Sequence, residues 1–129
     1  MTTQIFVNLP VRDLDRSVTF FTALGFSFNP QFTDKNATCM IISNAIFAML
    51  LVEPFFKTFT PRVLCDATTH TEVIVALSAE SRAKVDEMAD AALAAGGTEP
   101  RERNDMGFMY NRAFADPDGH IWEIFWMDP

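Results

Sequence analysis

Apolar and polar positions along the chain alternate in short runs, and two interruptions have helical spacing. Ile5, Val7 and Leu9 fall on one side of a period-two run, with Gln4, Phe6 and Asn8 on the other, which predicts a strand over 4–10. Asp13 is a good N-cap. Leu14, Val18, Phe21 and Leu24 then form a helical stripe that ends at Gly25, a residue suited to a left-handed cap. Strand-like runs follow over 26–32, 37–43 and 45–52. The stretch 54–69 breaks the pattern and predicts a linker with apolar anchors, among them Phe55, Phe56 and Phe59.

The same order then returns. A strand is predicted over 71–77, and a helix capped by Ser78 or Ser81, with Val85, Met88, Ala89, Ala92 and Leu93 as its stripe. Gly96-Gly97 ends it, and strands follow over 98–103, 107–115 and 120–127. The pattern is strand, helix, three strands, written twice. One 129-residue domain is expected, with module one at about 4–53, a linker at about 54–69 and module two at about 70–129. The fold class is α+β: two βαβββ modules forming a cupped mixed sheet around a cavity, with helices on its outer face.

Asp116-Pro117-Asp118-Gly119 is the strongest turn signal. Gly119 at a left-handed position closes a three-residue loop with a bulge. That register sets Asp116 opposite His120, Ala113 opposite Glu123 and Asn111 opposite Phe125. Asn111, Ala113, Ile121, Glu123 and Phe125 then share a face. Tyr110, Arg112, Phe114, Trp122, Ile124 and Trp126 take the face toward the helices. A four-residue loop would instead oppose Arg112 to Glu123 as a cross-strand ion pair. The placement of Gly119 favours the shorter loop, which leaves Asn111 as the nearest polar neighbour of Glu123. A carboxylate in so apolar a strand needs a partner or a purpose.

Composition narrows the choices. A net charge of −7 with ten basic residues argues against nucleic acid. No apolar run is long enough to span a membrane, and no secretory leader is evident at the N-terminus. Cys39 and Cys65 have no metal-type spacing and are expected as reduced thiols, Cys39 inert in the core, in a cytoplasmic protein. No phosphate loop, nucleophile elbow or paired-His motif occurs. His120 is expected as an exposed turn residue.

The repeated module, the opening Val11-Arg12-Asp13-Leu14-Asp15-Arg16-Ser17 with Phe20-Phe21 and Leu24-Gly25-Phe26, and the closing Asp116-Pro117-Asp118-Gly119-His120 with Glu123 resemble the vicinal oxygen chelate superfamily. This group includes glyoxalase I, bleomycin- and fosfomycin-resistance proteins and extradiol dioxygenases. The resemblance spans nearly the whole chain and implies the fold, but no single activity. The family's enzymes hold a divalent metal on strands facing one cavity, where it acts as a Lewis acid toward neighbouring substrate oxygens. The resemblance carries the four ligand positions onto Phe6, a residue near Leu50, Ile74 and Glu123. Only Glu123 can ligate, so neither metal nor other cofactor is expected. Gln4, Asn8, His70 and Glu72 could form a displaced site, but read more plainly as solvated residues near strand starts.

These readings lead to a small-molecule binder whose apolar cavity is lined by Phe6, Asn8, Leu50, Ile74, Asn111, Glu123 and Phe125. Glu123 would orient a hydrogen-bond donor or a cation. The alternative is a glyoxalase-like lyase or dioxygenase, with Glu123 as general base if burial raises its pKa, or as metal ligand. A third reading has the cavity filled by side chains. The resemblance also implies a homodimer, with Phe6 and Leu50 of one chain facing Ile74 and Glu123 of the other.

Overall fold

A computed structural model describes residues 3–129. They form two compact units, one ending at Leu64 and one spanning Cys65–Pro129. The division falls inside the predicted linker. Each unit holds its own four-stranded mixed sheet, in strand order Ile5–Val11, Ile46–Val52, Ala37–Ile41, Ser27–Asn29 in the first and Ile74–Ser78, Ile121–Met127, Met109–Ala115, Asn104–Asp105 in the second. The expected α+β fold of two repeated modules is present, each module contributing a four-stranded mixed sheet.

In the first unit, β1 (Ile5–Val11) runs parallel to β4 (Ile46–Val52). β3 (Ala37–Ile41) lies antiparallel to β4 and to the short edge strand β2 (Ser27–Asn29). The predicted strand 26–32 stops early because Pro30, which has no backbone donor, opens a 3-10 turn over Pro30–Phe32. Helix α1 (Leu14–Ala23) starts where the Asp13 carboxylate accepts the Arg16 amide at 3.1 Å. Its buried stripe is Ser17, Phe20, Phe21 and Leu24, spaced i, i+3, i+4, i+7. Leu14 and Val18 are only half-buried.

Register fixes which residues share a face, because paired residues in adjacent strands point the same way. Leu9 pairs with Leu50, Val7 with Ala48, and Thr38 with Leu50 across β3. On this face Leu9, Ala48, Leu50 and Thr38 are buried and Val7 is half-buried, and α1 packs against β4. Phe6, Asn8, Phe47, Met49 and Cys39 lie on the opposite face. Beyond β4 the expected linker begins with a short helix, α2 (Glu53–Phe56), and a 3-10 turn over Lys57–Phe59. There Phe55 and Phe59 meet edge to face at 5.2 Å.

The second unit repeats the plan. β5 (Ile74–Ser78) runs parallel to β8 (Ile121–Met127), and β7 (Met109–Ala115) runs antiparallel to it. β5 begins three residues later than predicted. The predicted strand 98–103 is reduced to a bridge between Thr98 and Ala115, with a two-residue β6 (Asn104–Asp105) beyond it. Ser81 caps helix α3 (Arg82–Ala94). Val85, Ala89 and Ala92 of the predicted stripe are buried, Met88 is half-buried and Leu93 is exposed.

The C-terminal hairpin follows the short-loop register. Asp116 pairs with His120, Ala113 with Glu123 and Asn111 with Phe125, and Gly119 has a φ of +91°. Asp116 Oδ1 accepts the amides of Asp118 and His120, each at 3.0 Å, and its Oδ2 accepts Trp122 Nε1–H at 3.0 Å. Burial pushes the Asp116 carboxyl above its usual pKa, while His120 and the Trp122 bond oppose that shift. Trp122 stacks parallel to its cross-strand partner Phe114 at 6.4 Å. Among the described residues no helix is long and apolar enough to cross a membrane.

Candidate functional site

The second sheet has two chemically distinct faces. Toward α3 it presents Tyr110, Arg112, Phe114, Trp122 and Ile124, as the short-loop register requires. Arg112 is only 2% exposed, yet its Nη1 donates to Asp90 at 2.8 Å and Asp86 at 3.1 Å, and its Nη2 to Glu99 at 3.2 Å. Burial disfavours its charge, but these carboxylates outweigh that and hold the guanidinium pKa above its usual value. Tyr110 donates to Asp86 at 2.6 Å, and that bond leads in holding the Asp86 carboxyl low. All this lies on the helix side and serves to dock α3.

The other face carries Ile74, Ala76, Asn111, Ala113, Ile121, Glu123 and Phe125. Four of the predicted site residues, Ile74, Asn111, Glu123 and Phe125, are therefore brought onto one face. Glu123 does not bond to Asn111 there. Arg101 Nη2 donates to Glu123 Oε2 at 2.7 Å, and Arg101 Nη1 donates to the Glu102 carbonyl at 3.2 Å. The pair is half-exposed. Asn111 is 4% exposed, and its Oδ1 is shielded from solvent with no hydrogen-bond partner. Buried amide oxygens are nearly always bonded, so this atom stands out.

A cavity of about 400 Å³ adjoins this face at its hairpin end. Thr68, Thr71, Thr98, Pro100, Asp116 and Ile121 are among its walls. Ile121 lies two residues before Glu123 on the same face, and Pro100 directly precedes Arg101. Gly119 permits the loop on the far wall to come in. A Cβ there would sit 2.8 Å from the backbone of Ala67 and Thr68.

In the first unit, Phe6 and Asn8 share a face and are exposed, with Phe6 stacked on Phe47 at 4.8 Å. Leu50 is not with them. It is 0% exposed on the opposite, helix-side face, so it lines nothing that Phe6 lines. A one-residue step in register reverses a side chain's face. The residue in the slot equivalent to Glu123 is Met49: it pairs with Asn8 on β1 as Glu123 pairs with Ala76 on β5.

The metal implied by the family resemblance does not fit these residues. Phe6 and Ile74 offer no lone pair, Met49 offers only a thioether, and Glu123 is already bonded to Arg101. Among the described residues no group of three or more His, Cys, Asp or Glu side chains is placed to hold a metal ion. His70 meets Thr69 Oγ1 at 2.8 Å, and Glu72 is exposed, so neither builds a displaced centre.

Residues 3–43 match the Bleomycin resistance protein-like N-terminal family. The chain superimposes with a TM-score of 0.81 on a hypothetical protein of S. aureus at 29% identity, covering 98% of this chain and 95% of that one. A glyoxalase/bleomycin resistance protein/dioxygenase family enzyme of Burkholderia phytofirmans gives 0.80 at 14% identity, over 98% and 99%. The chain carries the fold of the vicinal oxygen chelate superfamily. The bleomycin resistance determinant of transposon Tn5 shares that fold at a TM-score of 0.69 and 19% identity, over 99% and 100% of the two chains. No curated protein matches the chain.

Arg101 and the threonine-lined cavity have no counterpart in the expectations drawn from sequence. Arg101 sits in an irregular segment with no period to assign it a face. The available signal was charge alone: Glu123 needs a cation, and Arg101 and Arg103 are the basic residues just before β7.

Proposed function

We propose that this chain binds a small organic molecule in its second module without the superfamily's usual metal. The ligand lies on the sheet face of Glu123 and extends into the adjoining cavity. The observation that carries this reading is the unpartnered Asn111 Oδ1, on the same sheet face as the Arg101–Glu123 pair, a face whose Ile121 end lines a cavity of about 400 Å³. Apolar walls with a few convergent polar groups are the usual make-up of a ligand site. Phe125 and Ile121 supply the walls, while Arg101, Glu123 and Asn111 supply the polar groups.

The lyase or dioxygenase reading relied on Glu123 standing in apolar surroundings as a base. Arg101 already bonds Glu123 Oε2, which favours the binding reading over that one. Free thiols at Cys39 and Cys65 accord with a reducing, cytoplasmic setting. A homodimer accords with the apolar residues exposed along the edge strands, Phe6 at 47% and Ile74 at 50% among them.

A thermal-shift screen of a small-molecule library against the wild type and Glu123→Ala tests the binding reading. A specific ligand stabilises the folded state and raises Tm. The expected hits raise Tm in the wild type and lose that effect in Glu123→Ala. A library without hits, or hits indifferent to Glu123, would contradict the reading.

A further inference from the structure

We infer that the ligand is uncharged and presents an N–H donor beside a C=O acceptor, the edge of a carboxamide or lactam, on an aromatic or aliphatic body. This rests on the binding reading above and narrows it.

Glu123 alone on an apolar face would select a cation. Arg101, whose Nη2 lies 2.7 Å from Glu123 Oε2, cancels that charge at contact distance. A cationic ligand drawn to Glu123 meets Arg101, and an anionic ligand drawn to Arg101 meets Glu123. Each ion gains one attraction, suffers one repulsion and sheds its water as well. A neutral molecule meets none of these penalties.

The contact is single rather than forked. Arg101 Nη1 is turned to the Glu102 carbonyl, and only Nη2 reaches the carboxylate. Glu123 Oε1 therefore has lone pairs to offer, and the guanidinium has N–H groups to offer, side by side. An acceptor next to a donor is the complement of an amide edge.

Asn111 points to the same chemistry. Its Oδ1 is buried and accepts no bond, a costly state that a ligand N–H would relieve. Asn111 pairs with Phe125, two residues beyond Glu123 on the same face. Nothing in this arrangement asks the ligand for charge. A site built on paired donors and acceptors discriminates strongly against a molecule that leaves one of them unmet.

Benzamide, benzoate and benzamidine have nearly the same shape and differ in charge. Their affinities for the full chain, read by amide NMR titration at millimolar concentration, test the inference. Benzamide should bind at least about tenfold more tightly than either ion. Arg101→Gln leaves Glu123 unopposed and should move benzamidine ahead. Glu123→Gln leaves Arg101 unopposed and should move benzoate ahead. A wild type that prefers an ion, an order unchanged in both variants, or no binding of any of the three would overturn the inference. Glu123-dependent library hits that are all ions would overturn it while leaving the binding reading intact. A library with no Glu123-dependent hit removes both.

Discussion

The two modules have the same topology and pairing register, yet their equivalent slots hold different chemistry. On the face away from the helix, Met49 of the first occupies the place of Glu123 in the second, and Ala37 that of Asn111. On the helix face, Thr38 stands where the second module has Arg112. The backbone plan fixes where side chains point and leaves open what they do. In the first module these slots are filled for packing. In the second they hold a buried ion cluster on one face and an ion pair with an unsatisfied amide on the other.

The largest contrast should appear on the helix face. Arg112→Ala removes the cation shared by Asp86, Asp90 and Glu99 and leaves a hole under α3. The cost is expected near 3 kcal/mol, because the three carboxylates reach water and can be rehydrated. Thr38→Val, at the equivalent slot, loses only the hydroxyl contact with Thr33 at 2.9 Å and should cost roughly 1 kcal/mol or less. Urea unfolding of both variants measures the difference, and equal costs would break the contrast.

Glycines sharpen it next. Gly25 has a φ of +101° with open space around it, so Gly25→Ala meets only the left-handed strain, about 1 kcal/mol. Gly119→Ala adds a clash with the Ala67 and Thr68 backbone and should cost roughly 2–4 kcal/mol. A smaller loss at Gly119 than at Gly25 would show that the loop against the hairpin yields freely.

Much of the fold was legible because local chemistry and global pattern agreed. Asp13, Gly25 and Ser81 mark helix ends, and the turn before His120 set the register of β7 and β8 correctly. From that register, the opposite facings of Arg112 and Glu123 followed. The site was only half legible. Leu50 went to the wrong face because an apolar run such as Ile46–Val52 carries no alternation to show its phase. Arg101 was missed because contacts from irregular backbone have no period to project. Strand 98–103 dissolved for a related reason: Pro100 cannot donate to a ladder, and the run around it is charged.

Acid should loosen one corner of the second module. Arg82 forks onto Asp105 at 2.9 and 3.0 Å, donates to the Gly107 carbonyl at 2.7 Å, and lies over the rings of Tyr110 and Trp126. The Arg82 bond, helped by the Gly107 amide, holds the Asp105 carboxyl down to about 2 from 3.8. A depressed carboxylate pKa stabilises the fold above its unfolded value and loses that contribution as pH falls through the folded one. The β6–β7 turn should therefore release between about pH 4 and pH 2, seen as a change in the Gly107 amide and Trp126 indole NMR signals. Signals unchanged through that window would deny Arg82 this role.

The smallest stability effect belongs to the pair proposed to matter most for binding. Arg101 and Glu123 are partly solvated, so Arg101→Gln or Glu123→Gln should change stability by less than about 1 kcal/mol. Their loss should show in ligand preference rather than in Tm of the free protein. A large destabilisation would make the pair structural and return the face of Glu123 to packing.

The central claim is that the second module's sheet face away from α3, with no chemical equivalent in the first, is where a ligand sits. An NMR titration of the full chain with benzamide tests it most directly. Binding at that face should shift the Asn111 side-chain amide together with the backbone signals of Glu123 and Phe125, while those of Phe6 and Met49 stay in place. Shifts confined to Phe6 and Met49, or a spectrum that benzamide leaves unchanged, would contradict it.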